Sequence, residues 1–162
     1  MPELLEIEIR ECRKGDLVLL EQILPTKEYH KKRFLDQKAG RGTYLIAWRN
    51  NRPVGHLNIR WGSAQKPKIK PMLNCMEIVP ELRSRGIGAQ LLVAAEKLIK
   101  KRGLGQAELM VGVNNTRAKE FYERSGFKDP GYAPEIIRWP ANANDPHSRI
   151  IKEECLYLIK DL

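Results

Sequence analysis

The sequence predicts a mixed α/β domain, and three observations carry that prediction. Ile7 and Ile9 alternate with charged residues in "EIEIR", which is the period of a strand. Two apolar runs flank the polar turn "RNNRP" in "TYLIAWRNNRPVGHLNIRWG", the pattern of a hairpin. Farther along, "MLNCMEIV", a glycine turn, a helical repeat, "AELMVGV" and "NTRAKEFYERSG" follow one another as strand, helix, strand, helix.

Taken in order, the first strand gives way at Gly15 and Asp16, a break and an N-cap ahead of Leu17, Leu20 and Leu24 at helical spacing, and Pro25 stops that helix. "TKEYHKKRFLDQKAGRG" reads as a second helix closed by its glycines. The hairpin leads to "MLNCMEIV", an apolar strand stopped by Pro80. After the glycine turn, Ile87, Leu91, Leu92, Ala95, Leu98 and Ile99 share one helical face, with Gly103 as the C-terminal stop. The last strand is "ECLYLIKDL", and the Pro- and Asn-rich "YAPEIIRWPANANDPHSR" before it predicts a long loop. No segment repeats and none is of low complexity, so a single domain over residues 1–162 is expected.

A chain of 162 residues can bury about two-thirds of the surface its unfolded form exposes. Its 42% hydrophobic and 30% charged residues suit an ordinary globular protein, and no apolar run nears the ~18 residues of a membrane span. The start, "MPELLEIEIR", has no basic segment before an apolar stretch, so a cytoplasmic location without membrane association is expected. Cys12, Cys75 and Cys155 are odd in number and far apart, and His30, His56 and His147 are scattered, so neither a disulfide framework nor a metal site is expected. "NNT" at Asn114–Thr116 matches a glycosylation sequon only formally, given that location. The net charge of +9 raises a nucleic-acid reading. The basic clusters "HKKRF", "KPKIK" and "IKKRG" are not interleaved with aromatics as a base-stacking surface is, which favours solvated faces or an anionic small molecule and argues against a nucleic-acid partner.

Glycine weakens a helix, yet "RSRGIGAQLL" places two glycines where one begins. Where a strand turns directly into a helix, the first N–H groups lack intrahelical partners and the dipole is positive, so an anion is bound there, and glycine lets it approach the backbone. A dinucleotide fingerprint needs G-x-G-x-x-G, but Leu91 stands where the third glycine belongs. A P-loop needs G-K-[ST], and Gly88 is followed by Ala89 and Gln90. What remains, with Arg83 and Arg85 beside the open amides, fits a pyrophosphate held mainly by main chain.

The segment "IVPELRSRGIGA", Ile78 to Ala89, resembles the signature of the GCN5-related N-acetyltransferase (GNAT) superfamily, a strand ending in V-x-P followed by [RQ]-x-x-G-x-[GA]. "VGVNNTRAKEFYERSGF" is similar to its second signature through Val111, Asn115, Ala118, Tyr122, Gly126 and Phe127. "VGHLNI" and "CLYLIKDL" resemble the family's third and last strands, so the likeness spans nearly the whole chain, although its strong motifs occupy residues 78–127. The resemblance implies a GNAT fold: a central mixed, mostly antiparallel twisted sheet of about six to seven strands flanked by about four helices. It implies acetyl-coenzyme A as cosubstrate and transfer of acetyl to a primary amine of a small molecule or peptide by direct attack in a ternary complex. Homodimers are common in the family. The cofactor would be held by Ile78 and Val79, by the turn Arg83, Ser84, Arg85, Gly86, Ile87, Gly88 and Ala89, and by Asn115, Ala118 and Tyr122.

The chemistry makes its own demands. An alkylammonium with pKa near ~10.4 must lose a proton before it attacks the thioester, the tetrahedral oxyanion needs a fixed donor, and the departing thiolate needs an acid. By the resemblance, main-chain groups of Ile78 and Val79 polarise the carbonyl and Tyr122 protonates the thiolate. Tyr122 also fits core packing beside Phe121, and Asn115 also fits a helix cap. Glu77 interrupts an apolar strand, where a carboxylate is costly unless paired or hydrated. Two readings stay open for it, a base acting directly or through water and an ion pair with Arg60; Glu108 is a weaker candidate base. Acceptor residues are expected from Leu24 to Thr43 and from the loop carrying Tyr132 and Trp139. Rival functions are a non-catalytic acyl-coenzyme A-binding regulator and a basic nucleic-acid-binding module.

Overall fold

The computed structural model describes residues 5–62 and 70–162. The chain runs β1 (Glu8–Glu11), α1 (Leu17–Ile23), α2 (Tyr29–Lys38), β2 (Gly42–Arg49), β3 (Arg52–Arg60), β4 (Met72–Ile78), α3 (Ile87–Lys101), β5 (Gln106–Gly112), α4 (Thr116–Arg124), β6 (Glu135–Asn142) and β7 (Asp145–Asp161). The seven strands form one sheet in the order β1-β2-β3-β4-β5-β7-β6. Every neighbouring pair is antiparallel except β4 and β5. The mixed, mostly antiparallel sheet with four α-helices is the expected architecture.

Both faces of the sheet centre are covered, and the sequence shows why. Alternate residues of β2 point to opposite faces: Leu45 and Ala47 join the core beneath α3, while Tyr44, Ile46 and Trp48 join a second core with Leu20 of α1 and Phe34 of α2. A strand covered on both sides reads as a continuous apolar run, as "TYLIAW" does. α3 buries Ile87, Leu91, Leu92, Ala95 and Ile99, the stripe its periodicity predicts, with Leu98 partly buried at the margin.

β3 crosses the middle of the sheet and admits no side chain at Gly55. A methyl group there would sit 2.7 Å from Ile78 Cδ1 and 3.0 Å from the Glu77 carbonyl oxygen, both on β4. Because one of those neighbours is backbone, Gly55→Ala is expected to destabilise the protein by about 1–3 kcal/mol. Urea unfolding measures this; an unchanged midpoint would mean that β3 and β4 do not approach this closely.

The segment "YAPEIIRWPANANDPHSR" departs from expectation. Instead of a long loop, most of it forms β6 and the outer part of β7. β7 is 17 residues long and changes partner midway: Cys155–Asp161 pairs with β5, and Asp145–Cys155 pairs with β6. Pairing gives these backbone groups partners despite the Pro and Asn content, and Pro140 is tolerated because β6 is an edge strand.

Candidate active site

The site opens where two parallel strands part. β4 and β5 pair only at Met72–Glu108 and Leu73–Leu109, and beyond Leu73 the two diverge. A bulge lies just past the split: the β3–β4 register shifts between His56 and Asn58, so Cys75 and Met76 together oppose Leu57, and Cys75 takes φ +57°. At the far end of β4, the Val79 N–H donates to the Val54 carbonyl at 2.9 Å. Opposed residues of an antiparallel pair alternate between bonded and unbonded, so Ile78, opposite Gly55, turns its N–H and C=O away from β3 toward the split. Of the two residues expected to offer main-chain groups, Ile78 thus presents them to the cleft, while the Val79 N–H is engaged within the sheet. The Ile78 carbonyl accepts from Arg83 Nε at 3.1 Å.

From there the chain enters the glycine turn. Ser84 and Gly86 hold φ +62° and +88°, and residues 83–86 are exposed. The backbone N–H groups of Ser84, Arg85, Gly86, Ile87, Gly88 and Ala89 make no well-aligned hydrogen bond to an acceptor among the described residues; the first to do so is Gln90, to the Gly86 carbonyl. The contrast with α4 is instructive, because there the Asn115 side chain accepts from the Ala118 N–H at 3.2 Å and caps the helix. α3 has no side-chain cap, so its positive end is open. Gly88 has a second use, since a methyl group on it would lie 3.2 Å from Phe121 Cζ and 3.3 Å from Met76 Sδ. It lets the start of α3 lie against α4 and β4. Ile87 is buried in the core and holds the turn down, while Ala89 is exposed.

Charge gathers around these amides. Arg83 and Arg85 flank the turn, and Arg117, from the first turn of α4, donates to Ser84 Oγ at 2.7 Å. Arg117 was not anticipated from the sequence, although its place two residues after Asn115 in the second motif was a usable signal.

Tyr122 lies on the same side of the sheet, half-buried between Phe121 and Phe127, with ring centroids 5.2 and 5.9 Å away. Burial, helped by the nearby Cys75 thiol, pushes the phenol pKa up to about 12, so the proton stays on at neutral pH.

Glu77 has a different partner from the one expected. Arg60 sits opposite Met72, at the other end of β4, whereas Glu77 opposes His56, whose Nε2 lies 3.4 Å from the Glu77 carboxylate. His56 is fully buried and neither ring nitrogen makes a well-aligned hydrogen bond among the described residues. Burial drives its pKa down against the pull of Glu77, so the ring is neutral at pH 7 and the contact is not an ion pair. The His56 contact, with Arg83 adding to it, holds the Glu77 carboxyl below the usual range, so it is ionised at neutral pH and part-exposed. Glu108 moves the other way, raised by burial, and sits where β4 and β5 still pair.

Behind His56 lies a polar cluster that sequence spacing could not reveal. His30 Nε2 lies 2.6 Å from the Leu24 carbonyl, which can only accept, so Nδ1 accepts from the Tyr44 hydroxyl at 2.5 Å. Arg33 also donates to that hydroxyl, at 3.2 Å. The two segments expected to frame the acceptor meet here: Tyr29 donates to the Pro140 carbonyl at 2.5 Å, and the Ala143 N–H donates to the Lys27 carbonyl at 3.2 Å. Among the described residues, no group of three or more His, Cys, Asp or Glu side chains is placed to hold a metal, and no helix is long and apolar enough to cross a membrane.

Comparison with known proteins bears on this arrangement. Residues 2–127 match the acetyltransferase (GNAT) family. An uncharacterised N-acetyltransferase from Methanocaldococcus jannaschii is 38% identical over 88 residues, which are 53% of this chain and only 39% of that protein's length. Another, from Archaeoglobus fulgidus, is 28% identical over 139 residues, covering 76% of this chain and 95% of the relative. The fold is similar to the crystal structure of the PaiA N-acetyltransferase from Thermoplasma acidophilum in complex with coenzyme A, with a TM-score of 0.73 at 20% identity over 98% of this chain and 100% of that one.

Proposed function

Because the chain belongs to the acetyltransferase (GNAT) family, we propose that it transfers the acetyl group of acetyl-coenzyme A to a primary amine of a small molecule or peptide. The observation that carries this reading is the row of unpartnered amides from Ser84 to Ala89, framed by Arg83, Arg85 and Arg117 beside the β4–β5 split. Six open donors at a positive helix end match the oxygens of a diphosphate, and the buried face of α3 fixes the helix that presents them. The diverging strands leave room for an extended arm, and Asn115 marks its other side at the start of α4.

The residues divide the chemistry by position. The Ile78 N–H, turned into the split, is the donor for the oxyanion that forms when the amine attacks the thioester carbonyl. Tyr122 gives its proton to the coenzyme A thiolate, for which its raised pKa keeps the proton available. Glu77, ionised and part-exposed, takes the proton that the acceptor ammonium releases, directly or through water, and His56 sets the carboxylate's position from behind.

A thiol-release assay over a panel of amines with acetyl-coenzyme A tests the reading. Release that depends on an amine supports it, while tight binding of acetyl-coenzyme A with no release for any amine favours a regulatory acyl-coenzyme A sensor. The base has a separate signature. Glu77→Gln is expected to lower kcat/KM about a hundredfold at pH 7. The deficit should shrink toward pH 10, where the acceptor approaches its own pKa of ~10.4 and needs no base. A deficit of equal size at every pH would remove Glu77 from proton transfer.

A further inference from the structure

The acetyltransferase reading gives no part to the guanidinium of Arg33, a charge held against two aromatic rings beside the site. Arg33 lies on α2 and is half-buried against β2 and the β4 bulge. It donates to the Tyr44 hydroxyl at 3.2 Å and lies 5.4 Å from the Tyr44 ring centroid and 5.7 Å from that of Tyr29. Among the described residues it has no carboxylate partner, whereas Arg10 pairs with Asp16, Lys32 and Arg41 with Asp36, and Lys160 with Glu96. A guanidinium carries five N–H donors and keeps its charge, so a part-buried one faced by neutral groups alone is left short of countercharge.

Its position says what is missing. Arg33 bonds the Tyr44 hydroxyl, the Tyr44 ring lies 5.6 Å from that of His56, and His56 touches Glu77 at 3.4 Å, so the guanidinium stands two side chains behind the carboxylate at the β4–β5 split. Tyr29, over which Arg33 lies, is bonded to Pro140 of β6, so Arg33 belongs to the wall formed by α2 and the β6–β7 hairpin. Glu77, the ionised carboxylate of the site, is in contact with His56 instead. A polycationic acceptor would be repelled here, and a plain alkylamine would leave the charge uncompensated. A carboxylate would supply two acceptors in the geometry that suits a guanidinium. The same positive charge disfavours an acceptor ammonium nearby, which favours the neutral amine that attacks.

We propose that the acceptor is an amine bearing a carboxylate a few bonds from its nitrogen, and that Arg33 is the residue that binds this carboxylate. The inference rests on the acetyltransferase reading, and calorimetry with conjugates separates the two. Coenzyme A is joined through an acetyl linker to the nitrogen of glycine, β-alanine, γ-aminobutyrate, or a short peptide amide beginning with aspartate. Each is compared with the conjugate in which the carboxylate is an amide, and coenzyme A alone is the reference.

The expected result is that at least one acid binds about tenfold or more tightly than its amide. Which pair responds tells a free amino acid from a peptide. Arg33→Gln should abolish that preference while leaving coenzyme A binding intact, and Arg33→Lys should keep part of it, because the charge remains and the fork is lost. Coenzyme A binding with every acid and amide alike, or a preference that survives Arg33→Gln, overturns the carboxylate proposal alone. No binding of coenzyme A itself sinks both readings.

Discussion

Tyr122→Phe is expected to lower kcat about a hundredfold or more while leaving the affinity for acetyl-coenzyme A nearly unchanged. The substitution removes one oxygen and keeps the ring that packs between Phe121 and Phe127, so α4 should hold its place. What is lost is a phenol whose pKa burial pushes up to about 12, a group that carries its proton at neutral pH. An effect confined to kcat is the mark of an interaction made as the thiolate departs and not in the ground state. Steady-state kinetics with one responsive amine, beside calorimetry of coenzyme A, separates the two quantities. Full activity in the Phe variant would assign Tyr122 to packing only and send the search for the acid elsewhere.

The second large effect concerns Gly86. Its φ of +88° is one that side chains adopt with strain, and a Cβ there would meet nothing within 4 Å, so a substitution tests backbone conformation without steric clash. Gly86→Val puts a β-branched residue in the left-handed region, at a strain of about 1–3 kcal/mol. Because the turn is exposed and its amides are not tied to the protein, the strain should be relieved by the turn moving, which misaligns the amides. Affinity for coenzyme A should then fall about tenfold or more, while Gly86→Asn, which tolerates this region, should lose far less. Both variants should melt close to the parent protein. Coenzyme A binding that is equal in the Val, Asn and parent proteins would detach this turn from the cofactor.

Much of the candidate site's local structure is legible in the sequence because its signals are local. Gly86, Pro80 and the apolar stripe from Ile87 to Ile99 announce a strand, a turn and a helix from neighbouring residues alone, and the spacing from Gly86 to Tyr122 carries the family likeness. What escaped depends on pairing between distant segments. The partner of Glu77 is set by the β3–β4 register, which the bulge at Cys75 alters, and no residue type near Cys75 marks a bulge. Arg33, His30 and Tyr44 come together because α2 folds onto β2, a contact that the helical pattern permits but does not specify. The β6–β7 hairpin was hidden by composition: a strand with one edge open to solvent can carry Pro140 and several charged residues, so its pattern resembles a loop until its partner is known.

On the function proposed above, the amides from Ser84 to Ala89, open among the described residues, hold the diphosphate of acetyl-coenzyme A. An amide-resolved NMR titration with coenzyme A examines those six groups directly. Their N–H resonances are expected to move downfield together as the cofactor saturates, more than those of any other segment and in step with the Arg117 guanidinium. Saturation with these six resonances unmoved, and the large shifts elsewhere, would contradict it.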